Sequence, residues 1–120
     1  MKSLFFTLLT TFSFLVTSQE TDSIYEVIYA EYELEHYKEI VSTHAEKMEQ
    51  YSPLSIYYIG MSYYLLGNDD ECINTMDVLL KKDNQFADAY YIKGNCYTFQ
   101  IQSKKAISEF QKAIQIEPTN

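Results

Sequence analysis

The stretch "AYYIKGNCYTFQIQSKKAISEFQKAIQIEPTN", Ala89–Asn120, decides the fold. Gly94 stands inside an aromatic-rich helical segment, where glycine costs about 1 kcal/mol relative to alanine. A helix keeps such a glycine where another backbone passes too close for a side chain, so the device should recur. It does: 34 residues upstream of Gly94 lies Gly60. The same shift carries Tyr97 to Tyr63, Ala106 to Cys72, Ile107 to Ile73, Phe110 to Met76 and Ala113 to Leu79. Small residues fall on small and apolar on apolar, which defines two units, Pro53–Phe86 and Ala87–Asn120.

Each unit reads as two amphipathic helices joined by a turn. In the last, Tyr90, Gly94 and Tyr97 form one stripe, and Ala106, Phe110 and Ala113 the second. "QIQS" separates them, with Ser103 placed to cap the second helix and Pro118 to stop it after Ile116. In the middle unit the stripes are Ile56, Ile59, Gly60, Tyr63 and Ile73, Met76, Leu79, Leu80. "GNDD", Gly67–Asp70, is a helix stop, an N-cap and early-turn acids, and Lys81 and Lys82 suit the dipole at the far end. Thr21–Ser52 reads as a degenerate first unit broken near "ELEHY". Its stripes run Tyr25, Ile28, Tyr29, Tyr32, then Ile40 or Val41, His44 or Ala45, and Met48; no glycine fixes its phase.

The 120 residues suit one domain. They include 17 acidic residues against 9 lysines, with no arginine and no tryptophan, for a net charge of −8. That charge repels nucleic acid and anionic lipid, and the arginine fork that reads phosphate and base edges is missing. The N-terminus is a separate object. Lys2 precedes the uncharged run "LFFTLLTTFSFLV", Leu4–Val16, and then "VTS". This is the layout of a secretory signal peptide over residues 1–18, with cleavage expected after Ser18. Thirteen helical residues span about 20 Å, short of a ~30 Å bilayer core; an uncleaved N-terminal anchor is the alternative. The expected setting is therefore export, periplasmic or secreted. Export permits a disulfide between Cys72 and Cys96, but both fit helical core positions, and two free buried thiols are expected.

These residues resemble the tetratricopeptide repeat family, a 34-residue helix–turn–helix unit. The last unit supplies Tyr90, Gly94, Tyr97, Ala106, Phe110, Ala113 and Pro118 at the family's pattern positions; Lys93 stands where leucine is expected and Ile101 where the turn glycine is common. The middle unit supplies Ile59-Gly60, Tyr63, Gly67 and Cys72, departing at Ile56, Leu79 and Asn84. The resemblance implies an all-α fold, helix-turn-helix repeats stacked as a short right-handed superhelical solenoid. Neighbouring units must stack to bury both faces of each hairpin. No polar capping helix follows Pro118, so the expectation is either a piece of something longer or a last helix face that meets a partner or another copy of the chain.

The resemblance also implies a concave groove lined by the first helix of each unit, holding a partner peptide or helix. Its lining would be Tyr57, Met61, Tyr64 and Leu65, with Tyr91, Asn95, Thr98 and Phe99; individual tyrosines could instead pack under a neighbouring repeat. One family subtype clamps a C-terminal carboxylate with lysine and asparagine. Only Asn95 fits, because Tyr91 and Phe99 stand where the lysines would be. Catalytic patterns are not found: no G-x-x-x-x-G-K-[ST], H-E-x-x-H or G-x-S-x-G occurs. Glu33 and His36 make half of a di-iron motif without the other half, so a solvent-facing His36 is expected. Asp69–Glu71 suit a helix start better than a metal. The expectation is a non-enzymatic scaffold without cofactor or metal, binding a protein segment with basic character. The alternatives are the N-terminal repeats of a longer exported or membrane-tethered sensor or envelope assembly protein, and an enzyme subunit whose catalysis lies elsewhere.

Overall fold

The computed structural model describes residues 23–118. The candidate signal sequence, residues 1–18, lies outside them. Among the described residues there are helices and turns and no strand. Helix α1 covers 23–33, and α2 (Tyr37–His44) runs into a 3-10 helix (Ala45–Gln50). Then come α3 (Pro53–Leu65), α4 (Asp69–Lys82), α5 (Ala87–Phe99) and α6 (Ser103–Ile116). Helices α3 and α4 map onto α5 and α6 with the 34-residue shift at every boundary. None of these helices is long and apolar enough to cross a membrane.

The turns explain the repetition. Each of the three hairpins closes through one residue in the left-handed region: Glu35 (φ 61°), Gly67 (φ 78°) and Ile101 (φ 59°). In each, the following N–H bonds back five residues, His36 to Glu31, Asn68 to Tyr63 and Gln102 to Tyr97. The left-handed residue itself donates to the carbonyl three back, on Tyr32, Tyr64 and Thr98. This pair of bonds satisfies the last carbonyls of the preceding helix. Glycine suits the conformation; Glu35 and Ile101 adopt it at a cost of about 1–2 kcal/mol each. The shared turn sets the phase of the first unit. Its turn lies 32 residues before Gly67, two short of the period, which is why a strict 34-residue comparison slips there. Counted from the turns, Ile28 stands where Gly60 and Gly94 stand, and Ile40 where Cys72 and Ala106 stand.

Most of the core lies between α3, α4 and α5. Ile56, Ile59, Cys72, Met76, Leu79, Ala89 and Cys96 are fully buried, and Ile28 and Ile40 extend the core into the first unit. Burial thus chooses Ile40 over Val41. Ser55, Ser62, Ala89 and Cys96 are small and fully buried on α3 and α5, which suits close helix approach. The Ser62 and Thr75 hydroxyls donate to the carbonyls of Tyr58 and Glu71, both at 2.7 Å, so they are satisfied within their own helices.

Several local expectations change. The glycines make room for side chains rather than backbone: a Cβ at Gly60 would meet Met76 Cε at 2.7 Å, and one at Gly94 would meet the Phe110 ring at 2.5–2.8 Å. Ser103 is the first residue of α6, and Gln102 holds the cap position without a side-chain bond to the helix. Ser52 does cap α3, with Pro53 behind it. The Lys82 ammonium leaves its own helix end and donates to the carbonyls of Glu49 and Tyr51 (2.8 Å to Tyr51), closing the 3-10 helix of the first unit.

Lys93, the departure from leucine, is buried together with Glu109. Its ammonium meets Asp77 at 2.7 Å and Glu109 at 3.4 Å, joining α4, α5 and α6. Burial pulls the Lys93 pKa down, but the bond and charge of Asp77, with the charge of Glu109, outweigh it and leave it raised. Ile59 and Thr75 hold the matching places one repeat earlier, so the middle hairpin carries no charge there. Cys72 and Cys96 are free and buried. The Cys72 thiol is pushed up first by its hydrogen bond with Cys96 and then by burial, so the two sulfurs are neighbours across α4 and α5. His36 is exposed and pairs with Glu31 at 2.6 Å rather than with Glu33.

Candidate interaction groove

Helices α1, α3 and α5 are the first helices of the three hairpins, and an aromatic strip runs across them. The Tyr58 ring lies 4.9 Å from Tyr32, 5.2 Å from Tyr29 and 6.1 Å from Tyr25, all on α1. It lies 5.3 Å from Tyr57, which in turn stands 5.2 Å from Phe86 at the entry to α5. Further along, Tyr64 and Phe99 are 6.1 Å apart. Ring pairs at these spacings add about 0.5–1.5 kcal/mol each beyond their buried area, so the strip is held in place by its own members.

The eight residues expected from the sequence divide into groups. Tyr64, Asn95 and Phe99 come together: burial raises the Tyr64 hydroxyl and the nearby Asn95 amide offsets part of that rise, and Phe99 is 64% exposed beside it. Leu65 follows Tyr64 on α3 and is also exposed. Thr98 is exposed, with its hydroxyl donating to the Gly94 carbonyl at 2.9 Å. Tyr57 and Met61 are half-buried and packed against the core, Tyr57 under Phe86, so these two serve the stack as well as the surface. Burial raises the Tyr57 hydroxyl to about 12, with Asp88 adding its charge. Tyr91 is half-exposed and leans on Phe110 at 5.8 Å, at the α5–α6 end.

The turn register adds residues from the first unit. Positions matching Tyr57, Met61, Tyr64 and Leu65 are Tyr25, Tyr29, Tyr32 and Glu33. Sequence reading missed their part in the groove because no glycine marked the phase; the break at Glu35 would have supplied it had the turn been used as the anchor. None of the twelve matched positions on α1, α3 and α5 is a lysine. Two carboxylates act on the strip, Glu33 on Tyr29, Tyr32 and Tyr58, and Asp88 on Tyr57.

A second concavity lies between α5 and α6, a pocket of about 470 Å³ lined by Ala87, Asp88, Tyr91, Phe110, Ala113, Ile114 and Glu117. One repeat earlier the matching positions include Met76 and Leu79, both fully buried where α5 packs on α3 and α4.

A stack of three helical hairpins with first helices sharing one surface defines an α-solenoid built from repeats. Two models, each described as "Tetratricopeptide repeat", match residues 54–83 and 87–120. Together they take in more than half of the chain, which belongs to the tetratricopeptide-repeat family. No curated protein matches the chain. Among solved structures it is similar to the second TPR of Spaghetti (RPAP3) bound to HSP90 peptide SRMEEVD. The TM-score is 0.74, over 82% of this chain and 94% of that one, with 15% identity.

Proposed function

We propose that the protein is a non-enzymatic interaction scaffold that holds an extended or helical segment of a partner protein in the groove formed by α1, α3 and α5. The observation that carries this is the aromatic strip across all three helices, with Leu65, Tyr91 and Phe99 left exposed. A tetratricopeptide solenoid offers this face, and the similar structure was solved with a peptide. That peptide ends in Glu-Glu-Val-Asp. The matched groove positions of this chain hold no lysine to meet such an end, and Asn95 alone stands where the clamp would need several donors, which favours a neutral or basic segment instead. The leader-like residues 1–18 support an exported setting, in which mature protein begins at Gln19; N-terminal sequencing of the protein from its host tests that part. Selection of a random dodecapeptide library on phage tests the groove. Selected peptides should lose at least about tenfold in affinity with Phe99→Ala or Tyr64→Ala, as anchor residues do. Peptides indifferent to both would discard the groove.

The α5–α6 pocket supports a second reading for that end of the stack. It occupies the place where α5 sits one repeat earlier, so it is shaped for a helix. A second copy seated there gives self-association, and a further repeat gives the longer exported or tethered assembly protein. Light scattering of the isolated chain with and without Ile114→Lys separates them: a dimer that Ile114→Lys dissociates supports the former, and a monomer in both removes it.

A further inference from the structure

We infer that the α1 end of the groove binds a lysine or arginine side chain of the partner segment, against the Tyr29 ring and the Glu33 carboxylate. This rests on the groove reading above and names the chemistry of what enters it at one end.

Three observations converge there. Tyr25, Tyr29 and Tyr32 surround the Tyr58 ring, with Tyr25 and Tyr29 stacked at 5.9 Å, so several ring faces and edges meet on one surface. Tyr29 remains 38% exposed within that cluster. Glu33, one helical turn beyond Tyr29, acts on Tyr29, Tyr32 and Tyr58 alike. It raises the Tyr29 hydroxyl by its charge and by a side-chain hydrogen bond, and adds to the rise at the other two. A carboxylate central to a group of electron-rich rings is a site of concentrated negative potential.

The comparison within the molecule is direct. In the last repeat the chain places its own lysines over tyrosines: Lys105 over Tyr97 at 5.5 Å and Lys112 over Tyr90 at 5.7 Å. Among the described residues, no lysine lies over Tyr25, Tyr29, Tyr32 or Tyr58. Nor does a cation pair with Glu33, whereas the nearby Glu31 is taken by His36. The first repeat therefore presents the acceptor half of an arrangement that the last repeat completes by itself. A cationic side chain on the partner supplies the missing half; a neutral chain of the same length gains the ring contact and loses the charge.

The test uses the whole chain with fluorotyrosine labels read by NMR. The probes are N-acetyl-lysine N-methylamide and N-acetyl-arginine N-methylamide, with the norleucine analogue as the neutral control. The lysine and arginine probes should shift Tyr25, Tyr29 and Tyr32 saturably, and norleucine only at several-fold higher concentration. Glu33→Gln should weaken the effect about two- to fivefold, the scale of an exposed ion pair. Tyr29→Leu should abolish it, with an unchanged melt confirming the fold. Equal shifts from norleucine, indifference to Glu33→Gln, or shifts scattered over the acidic surface would overturn the inference. Phage-selected dodecapeptides separate this from the broader reading. Peptides that lack a basic residue yet depend on Phe99 keep the groove and discard the cation site.

Discussion

Gly94→Ala and Gly60→Ala add the same methyl at the same repeat position, and their outcomes should differ. At Gly94 the new Cβ would stand 2.5, 2.6 and 2.8 Å from Cε1, Cδ1 and Cζ of Phe110. Those atoms belong to one rigid ring, which must move as a body and which also rests against Tyr91. At Gly60 the nearest atom is Met76 Cε at 2.7 Å, the free end of an unbranched side chain, followed by Sδ at 3.2 Å and Thr75 Cγ2 at 3.3 Å. Both substitutions gain about 1 kcal/mol of helix propensity. Overpacking costs about 1–3 kcal/mol where the neighbour cannot yield, and less where methionine can re-pack. Gly94→Ala should therefore lose about 1 kcal/mol net, or about 4–8 °C in Tm, and Gly60→Ala should lie close to the parent. Urea denaturation followed by far-UV circular dichroism, with matched slopes, measures both. Gly94→Ala equal to or more stable than Gly60→Ala would show that the Phe110 ring leaves freely and that helix approach does not require the glycine.

Ile101→Gly should raise stability by about 1 kcal/mol by relieving a β-branched residue at φ 59°; a loss in the same denaturation assay would refute the turn. Lys93→Met should cost about 2–3 kcal/mol by leaving the buried Glu109 carboxylate with only the half-exposed Lys112 for a cation. Glu109→Gln added to it should recover part of that loss, and an additive double variant would break the link. Stability should hold to about pH 10 and fall above it. The folded pKa of Tyr57, about 12, and that of Lys93 both lie above their unfolded values, so both groups stabilise the fold below those values and lose that contribution as pH rises. Urea midpoints between pH 8 and 11 would show it, and a fall beginning near pH 8 would assign alkaline sensitivity to other groups.

The two later hairpins were legible because Gly60 and Gly94 share a spacing and stripe that one helix period enforces. The first was blurred for a physical reason: Glu35 adopts the left-handed turn without being glycine, and its hairpin is two residues short. Counting by period therefore misplaced what counting from the turn aligns, and Tyr25, Tyr29 and Tyr32 went unrecognised as groove residues. That Tyr64 and Phe99 stand side by side could be read from their places on α3 and α5. That Tyr57 lies under Phe86 could not, since the partner comes from the entry to another helix. Lys93 was visible as an exception, but Asp77 and Glu109 sit on two different helices, and no spacing along the chain announces such a triad.

That triad makes the repeats non-interchangeable. The partner of Lys93 on the preceding hairpin is Asp77, and the position matching Asp77 in the last unit is Gln111. A duplicated copy of residues 87–120 stacked on the original would bring a buried ammonium against an amide. A buried lysine left with only the longer contact to its own Glu109 loses much of what holds its charge in place, so such a junction would loosen. The order of the units is thus written into one ionic contact, which acts as a key between the second hairpin and the third. Grafting the last repeat onto another array would have to carry the aspartate with it.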